Sequence, residues 1–264
     1  MKVDYASDLH MNHHVPFMKD QLKWEARTRE WAKNILRTGY GSVLIIAGDF
    51  SEWNRQAFWF LEEASSIYEK VFFVTGNHDY YLISKNRKRK YKDSKARQQA
   101  LIESSANLTN VQPLNRDVIS YNGKTFAGDS LWYIPKTPDE WLFFFNESND
   151  SNYIYLIDRY PYGFTTKEEE VHFLYQEAMD WYNTLSGKNI DLMVSHIPPV
   201  HPPISPFARN ACYDCPVSFL AAKTWICGHQ HIQGDFEKAG TLFWMNAIGY
   251  PIEKNMITLK TIEI

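Results

Sequence analysis

Five short polar clusters, spread over most of the chain, contain the residue types that could do chemistry. They are Asp8-Leu9-His10, Gly48-Asp49, Gly76-Asn77-His78-Asp79, Ser195-His196 and Gly228-His229-Gln230-His231. Each follows an apolar, β-rich segment, at residues 2–7, 42–47, 70–75, 190–194 and 223–227. Loops that leave the carboxyl ends of strands in an open α/β sheet converge on one crevice. The sequence therefore predicts that the five clusters share one site.

The residue types indicate what this site binds. Asp, His and Asn offer oxygen and imidazole nitrogen without thiolate, a set that suits Mn, Fe, Zn or Ni. There are more candidate ligands than one ion takes, and a carboxylate such as Asp49 can bridge two ions about 3.5–4 Å apart. A paired site of this kind orients a phosphate and generates hydroxide near neutral pH. The predicted chemistry is phosphoester hydrolysis by in-line attack.

The five clusters resemble, in order, the motifs of the calcineurin-like metallophosphoesterase family: Asp-x-His, Gly-Asp, Gly-Asn-His-Asp/Glu, His and Gly-His-x-His. They span positions 8–231. Outside the motifs, residues 128–132 and 246–250 look like a bacterial and phage branch of that family. The resemblance implies the family's four-layer α/β/β/α sandwich with two mixed β-sheets. The alternation of strand and helix patterns along the chain is compatible with this α/β fold class.

Carried over position by position, the resemblance implies two sets of metal ligands with one shared carboxylate. The first set is Asp8, His10, Asp49 and His231. The second set is Asp49, Asn77, His196 and His229, so that Asp49 is the bridge. The expected ions are Mn²⁺ and/or Fe, with Zn²⁺ or Ni²⁺ as alternatives.

His78 is expected to act on the substrate, because in the family this imidazole faces the scissile phosphate and not a metal. It would stabilise the transition state or protonate the leaving oxygen. A carboxylate usually orients such an imidazole. Glu52 occupies the place of the corresponding Asp in protein phosphatases, and Asp79 is the competing candidate.

Departures from relatives narrow the expected substrate to a nucleotide or another small phosphodiester. Protein phosphatases grip phosphate with Asp-Arg-Gly, whereas this chain reads Glu52-Trp53-Asn54. Nuclease relatives add a further histidine pairing and a long extension, neither of which is recognisable, although His201 is one extra histidine near the fourth cluster. A nuclease, or a non-catalytic binder of a phosphorylated ligand, remains the alternative. His13 and His14 follow the first cluster and are expected to be solvated loop residues or substrate contacts.

Charge is concentrated in one segment. Residues 85–97 hold eight basic residues and one acid, a net +7, which leaves −10 for the rest of a chain whose formal charge is −3. A basic segment close to the third cluster predicts contact with nucleotides or nucleic acid through Lys88 and Arg89. A solvated basic helix is the alternative.

The 264 residues fit one domain, with an aromatic-rich insertion expected at residues 132–164 that packs over the site, against a partner, or into an enlarged core. Cys212, Cys215 and Cys227 are expected to be structural or incidental, because the Cys-x-x-Cys pair lacks a second pair. No signal peptide or membrane span is recognisable, which predicts a cytoplasmic protein without a membrane partner. Oligomeric state is left open.

Overall fold

Two mixed β-sheets lie face to face in the computed structural model, which describes residues 1–157, 166–206 and 210–264. The first sheet has the order β11-β1-β2-β3-β4. Its strands β1 to β4 are parallel and β11 is antiparallel to β1. The bounds are β1 Lys2–Ala6, β2 Val43–Ala47, β3 Lys70–Val74, β4 Val111–Pro113 and β11 Lys260–Glu263.

The second sheet has the order β5-β6-β7-β8-β10-β9. Strands β6, β7, β8 and β10 are parallel, whereas β5 and β9 pair antiparallel at the two edges. The bounds are β5 Asp117–Tyr121, β6 Lys124–Asp129, β7 Ile190–Ser195, β8 Ala222–Cys227, β9 Gln233–Lys238 and β10 Thr241–Asn246.

Helices cover the outer face of each sheet. Those that precede β5 in the chain are α1 Met11–His14, α2 Gln21–Leu36, α3 Asn54–Ile67, α4 Lys85–Lys90 and α5 Ser94–Ser105. Those that follow β6 are α6 Pro138–Glu147, α7 Asp150–Tyr153 and α8 Lys167–Asn183. Two 3-10 turns occupy Asn77–Tyr80 and Pro251–Glu253.

The central strands are apolar on both sides because each sheet is covered on both faces. Alternate residues of β2, such as Val43 and Ile45, pack between the sheets with Phe126 of β6 and Leu192 of β7. The intervening residues face the helices, as Ile46 does in the cluster that includes side chains of α2, α3 and α5. Side chains of α8 cover the outer face of the second sheet. The expected four-layer sandwich is confirmed.

The predicted insertion at 132–164 contains α6 and α7, and its residues 158–164 lie outside the described residues. Its side chains Tyr133, Phe144 and Ile154 are buried in the core cluster that includes α8. This segment therefore extends the outer core of the second sheet. The amphipathic pattern of residues 166–186 predicts a helix, and this helix is α8, with Thr166 as its N-cap.

Two strands near the C-terminus differ from what the sequence pattern predicts. The pattern of residues 256–264 predicts one long strand, but only Lys260–Glu263 pairs as a strand. The backbone of Met256 is instead hydrogen-bonded to the Gln233 side chain, which donates to its carbonyl at 2.8 Å and accepts from its N–H at 3.1 Å. Strand β9 was not predicted, because its exposed, polar residues lack the pattern of a buried strand.

Among the described residues, no helix combines the length and the apolar character that crossing a bilayer requires.

Candidate metal centre and phosphate site

The five clusters meet at one edge of the sandwich. Each lies directly after the carboxyl end of a strand: β1, β2 and β3 in the first sheet, and β7 and β8 in the second. Three groups of side chains place one ligand atom each within 4.8 Å of the others. These groups are Asp8, His10 and His231; His10, Asp49 and His78; and Asp8, Asp49 and His196.

Left-handed backbone is concentrated in these clusters. The φ angle is 51° at Asp8, 38° at His10, 57° at Asp49, 71° at His229 and 52° at His231. Residues other than glycine rarely adopt positive φ, and each instance costs about 1–3 kcal/mol. Such a concentration at one edge indicates that the fold holds these side chains in place against local preference.

Glycine at two motif positions is required by close approach. A Cβ atom on Gly48 would lie 2.6 Å from Nδ1 of His196, and a Cβ atom on Gly76 would lie 2.1 Å from Oδ1 of Asp49. Both distances are shorter than any real contact, so a side chain at either position would displace a candidate ligand.

The first group of candidate ligands joins the two sheets. Nε2 of His231 is 2.9 Å from Nε2 of His10 and 3.7 Å from Oδ1 of Asp8. Both carboxylate oxygens of Glu253 lie 2.8 Å from Nδ1 of His231, so Nδ1 donates its proton there and Nε2 faces the crevice. Burial and the neighbouring His78 hold the pKa of His10 well below its usual range. Its imidazole is therefore neutral, the form that binds metals.

His196 and His229 also donate a ring N–H to an acceptor on the side of the ring that faces away from the candidate cation. His196 donates from Nδ1 to the carbonyl of Ala47 at 2.8 Å, which leaves Nε2 to face Oδ1 of Asn77 at 3.0 Å and Oδ2 of Asp49 at 3.4 Å. His229 donates from Nε2 to the carbonyl of Cys212 at 2.8 Å, so Nδ1 is the nitrogen that it offers to a cation. Backbone carbonyls commonly fix the tautomer of metal-binding histidines in this way.

Asp49 is the electrostatic centre of the site. Burial alone would raise the pKa of its carboxyl, but His196 and His78 hold that pKa well below its usual range. Burial would likewise lower the pKa of His196, but Asp49 raises it to about 10. The arrangement attracts positive charge at this point.

Asn77 is oriented by Asp150, the first residue of α7. Its Nδ2 donates to Oδ1 of Asp150 at 2.7 Å, and Oδ1 of Asn77 points toward His196. Asp150 is buried and also accepts hydrogen bonds from the hydroxyls of Tyr81 and Tyr133. Asp150 was not predicted as a site residue, because it lies 73 positions from Asn77 in the sequence.

Of the two carboxylates predicted to orient His78, Glu52 is the one beside its ring. Oε1 of Glu52 lies 3.7 Å from Nδ1 of His78. Oδ2 of Asp79 instead accepts the backbone N–H groups of Asp49 at 3.0 Å and of Gly76 at 2.9 Å. Burial would lower the pKa of His78, whereas Asp49 and Glu52 raise it. The net effect is a pKa above the ordinary value of a histidine.

Tyr250 and Arg97 are further residues of this edge that were not predicted. The Tyr250 ring stacks on His10 at 4.5 Å between centroids, and its hydroxyl is 3.4 Å from Nε2 of His78. Arg97 is buried and donates to the carbonyls of His78 at 2.6 Å and Ser51 at 2.8 Å, which ties the loops after β2 and β3 together. Arg97 belongs to the basic segment, and the sequence does not distinguish this buried arginine from the exposed basic residues around it.

The residues predicted to contact substrate, and the three cysteines, lie in different environments. Lys88 and Arg89 are exposed on α4, and His201 pairs with Asp214, with 3.2 Å between Nδ1 and Oδ2. His13 packs edge-on against the Tyr250 ring at 4.7 Å between centroids, whereas His14 donates from Nε2 to the carbonyl of Gly249 at 2.9 Å. The three cysteines are buried free thiols.

The seven residues predicted as metal ligands fit a pair of divalent cations. They offer carboxylate oxygens, one amide oxygen and imidazole nitrogens, and three of their imidazoles direct a proton to an acceptor on the other side of the ring. Oδ1 of Asn77 and Nε2 of His196 lie 3.0 Å apart, close enough for one cation to bind both. Oxygen and nitrogen without thiolate suit divalent transition metals.

Comparisons with known proteins agree with this geometry. A family model described as calcineurin-like phosphoesterase matches residues 1–233. A protein of Acanthamoeba polyphaga mimivirus, described as uncharacterized, is 23% identical over 215 residues, which cover 74% of each chain. The crystal structure of the phosphopantetheinyl hydrolase PptH from Mycobacterium tuberculosis superposes with a TM-score of 0.68 at 18% identity, covering 99% of this chain and 95% of that one. At that identity the superposition shows a common fold.

Proposed function

We propose, because this chain belongs to the calcineurin-like phosphoesterase family, that it hydrolyses a phosphodiester in a nucleotide or another small molecule at a centre of two divalent metal ions. The observation that carries the proposal is the convergence of acceptor atoms from both sheets around the Asp49 carboxylate, with the His78 imidazole at the same edge. A binding crevice needs only the acceptors. An imidazole beside them, able to donate a proton, is a group that general acid catalysis requires.

Two ligand sets follow from the order of the family's motifs in this chain. Asp8, His10, Asp49 and His231 would hold the first ion, and Asp49, Asn77, His196 and His229 would hold the second. Two ions bound there would supply Lewis-acid stabilisation of a phosphoryl group and a lowered pKa for water.

The protein's own side chains would do the rest. His78 carries a proton that it can donate to the leaving oxygen, and Glu52 supports the charged imidazole from the Nδ1 side. The Tyr250 hydroxyl, near Nε2 of His78, can hydrogen-bond a phosphate oxygen. The Tyr250 ring stacks on His10 at the same edge and holds that hydroxyl beside the candidate ligands.

The test is turnover of purified protein with added Mn²⁺ on bis(p-nitrophenyl) phosphate, a diester, and on p-nitrophenyl phosphate, a monoester. We expect release of nitrophenolate from the diester at the higher kcat/KM. The fold shared with a phosphopantetheinyl hydrolase makes a phosphopantetheinyl diester a further substrate for the panel. A labelled single-stranded oligonucleotide tests the nuclease alternative, for which the exposed Lys88 and Arg89 are the observation in favour.

The control is Asp49→Asn, which should abolish turnover on every substrate. A wild-type protein that binds metal and phosphorylated ligands but turns over none of the panel would establish the non-catalytic binder instead. Greater kcat/KM on the monoester would contradict the diesterase assignment.

A further inference from the structure

A cavity lies next to the candidate metal centre. Its volume is about 170 Å³ and it shares Glu52, the neighbour of His78, as part of its wall. Aromatic and cationic side chains line most of the remainder, among them Phe17, Trp53, Arg55, Arg87, Lys90 and Arg97. Complete small-molecule pockets usually measure about 300–1,000 Å³. This cavity therefore has room for one group of a ligand.

Arg87 is the unusual residue of this cavity. It is only 6% exposed, and its guanidinium carbon lies 3.9 Å from the centroid of the Trp53 ring. Within the part of the chain that the structure describes, neither terminal nitrogen of Arg87 has a hydrogen-bond partner. A buried guanidinium that donates no hydrogen bond from either terminal nitrogen is costly, and buried charges are normally paired.

The neighbouring groups do not neutralise Arg87. Arg97 uses its two terminal nitrogens on the carbonyls of His78 and Ser51. Glu52, which is the cavity's acidic residue, faces the imidazole of His78. Burial and Arg97 lower the pKa of Arg87 to about 10, so it remains a cation at neutral pH. Four cationic residues and one acidic residue thus line the cavity.

The geometry points to a subsite for a second phosphate group of the substrate, bound by the two terminal nitrogens of Arg87. This assignment rests on the proposed phosphodiesterase function, because the subsite adjoins the centre at which the first phosphate would react. A guanidinium binds phosphate through two parallel hydrogen bonds. Trp53 holds the guanidinium plane from one side, which fixes its direction before a ligand arrives. The favoured substrate is therefore a small phosphodiester that also carries a phosphate monoester.

Two matched substrates test the subsite: the p-nitrophenyl ester of thymidine 5′-phosphate with a free 3′-hydroxyl, and the same ester with a 3′-phosphate. Wild-type protein should show a KM about 10- to 100-fold lower for the 3′-phosphorylated ester, the range for hydrogen bonds to a charged group. Arg87→Gln should reduce this KM ratio to near one. Arg87→Lys, which keeps the charge but loses the planar fork, should give an intermediate ratio.

The control variant is Lys85→Gln. It removes one positive charge from the same helix at an exposed position outside the cavity lining, and should leave the ratio unchanged. A wild-type ratio near one, or equal ratios in Arg87→Gln and Lys85→Gln, would overturn the subsite.

A binding measurement separates this inference from the proposed function. Chelator-treated protein is titrated calorimetrically with thymidine 3′,5′-bisphosphate and with thymidine 5′-monophosphate, so that neither metals nor turnover contribute. The bisphosphate should bind at least about 10-fold more tightly, and Arg87→Gln should remove the difference. If no nitrophenyl ester is hydrolysed but this preference holds, the hydrolytic function fails and the subsite stands. Equal binding of the two ligands by wild-type protein overturns the subsite itself.

Discussion

The two carboxylate oxygens of Asp49 contact different parts of the site. Oδ1 accepts the backbone N–H of His78 at 2.8 Å, while Oδ2 lies 3.4 Å from Nε2 of His196 and 3.7 Å from Nε2 of His10. One oxygen thus fixes the loop that carries His78, and the other faces a histidine from each sheet. A carboxylate in this position can serve both proposed ions at once.

Replacing Asp49 with Asn should therefore remove metal and activity together. We expect fewer than two ions per chain and a loss of turnover larger than about 10³-fold, because the shared ligand loses its charge. Metal content is measured by mass spectrometry of the purified variant. Two bound ions with normal turnover would exclude Asp49 as the bridge.

Replacing His78 should lower the rate of hydrolysis without removing the bound metal ions. His78→Asn is expected to keep both ions and to lower kcat by about 10²- to 10⁴-fold, the range for removal of a general acid. The loss should be smaller for a nitrophenyl ester than for an alkyl ester, whose leaving group needs the proton. Metal content and kcat on both esters are the measurements. Loss of metal would make His78 a ligand, and equal losses would indicate charge stabilisation without proton transfer.

At the scale of elements, the short helix α7 has an effect on the site that its length does not suggest. Its first residue, Asp150, holds the amide of Asn77 from the side opposite His196. Without that acceptor, the Asn77 amide can rotate and present Nδ2, a donor, to the cation. Helix α7 therefore helps to define one face of the candidate centre.

Asp150→Ala should weaken the second ion by about 10- to 100-fold, the usual effect of losing the partner of a metal ligand. Competitive titration of apoprotein with a metal indicator measures both affinities. Tyr133→Phe is the matched control, since it removes one donor to Asp150 but leaves the Asn77 contact intact. Equal affinities in wild type and Asp150→Ala would show that Asn77 needs no support from α7.

The end of β6 carries a carboxyl group whose burial should be visible in stability. Burial raises the pKa of Asp129 to about 6, against the smaller opposing effect of Arg116. An unfolded Asp titrates near 3.9, so this group stabilises the fold below about pH 4 and that contribution is lost as the pH rises through about 6. Asp129→Asn should unfold with a free energy up to about 3 kcal/mol above wild type at pH 8, and equal to it at pH 4.

Urea unfolding of chelator-treated protein at the two pH values provides the measurement. Asp117→Asn, on the exposed strand β5, is the control and should show no such pH-dependent difference. A gap between Asp129→Asn and wild type that stays constant from pH 4 to pH 8 would mean that Asp129 is not the titrating group.

Elements with a strong local pattern could be predicted, and contacts between distant elements could not. The strands before the five clusters are short, apolar and bounded by polar residues, so their ends were predicted to within one residue. Strand β9 lacks that pattern, since β10 and not the core determines its pairing. The roles of Asp150, Glu253 and Arg87 depend on tertiary contacts, and no periodicity in the sequence indicates them.

At the scale of the whole molecule, the candidate metal centre lies where the two β-sheets meet. Asp8, His10, Asp49 and Asn77 follow strands of the first sheet, whereas His196, His229 and His231 follow strands of the second. The isolated bridge between Ser7 and Ala247 and the 3.1 Å hydrogen bond from the Asn246 amide to the Tyr5 carbonyl also join the two sheets at this edge. Bound ions would hold the two sheets together and bind only the folded state.

Removal of metal should therefore lower the melting temperature. Ions present at about 1,000 times their Kd stabilise the fold by about 4 kcal/mol, which corresponds to roughly 10 °C for a domain of this size. Differential scanning calorimetry with and without chelator checks the shift. Asp49→Asn should show a smaller shift than wild type, and a wild-type protein with no shift would contradict stabilisation by bound ions.

The left-handed backbone at five candidate ligands has a consequence for how the family can diverge. Glycine adopts positive φ without strain, so replacing any of these side chains with glycine relieves local strain. Selection for the site and selection for stability therefore act in opposite directions at Asp8, His10, Asp49, His229 and His231. A lineage released from the need for chemistry would tend to lose these ligands first while it kept the fold. Descendants with glycine at these positions would lose the candidate ligands, and the family would then be recognisable in them by its architecture alone.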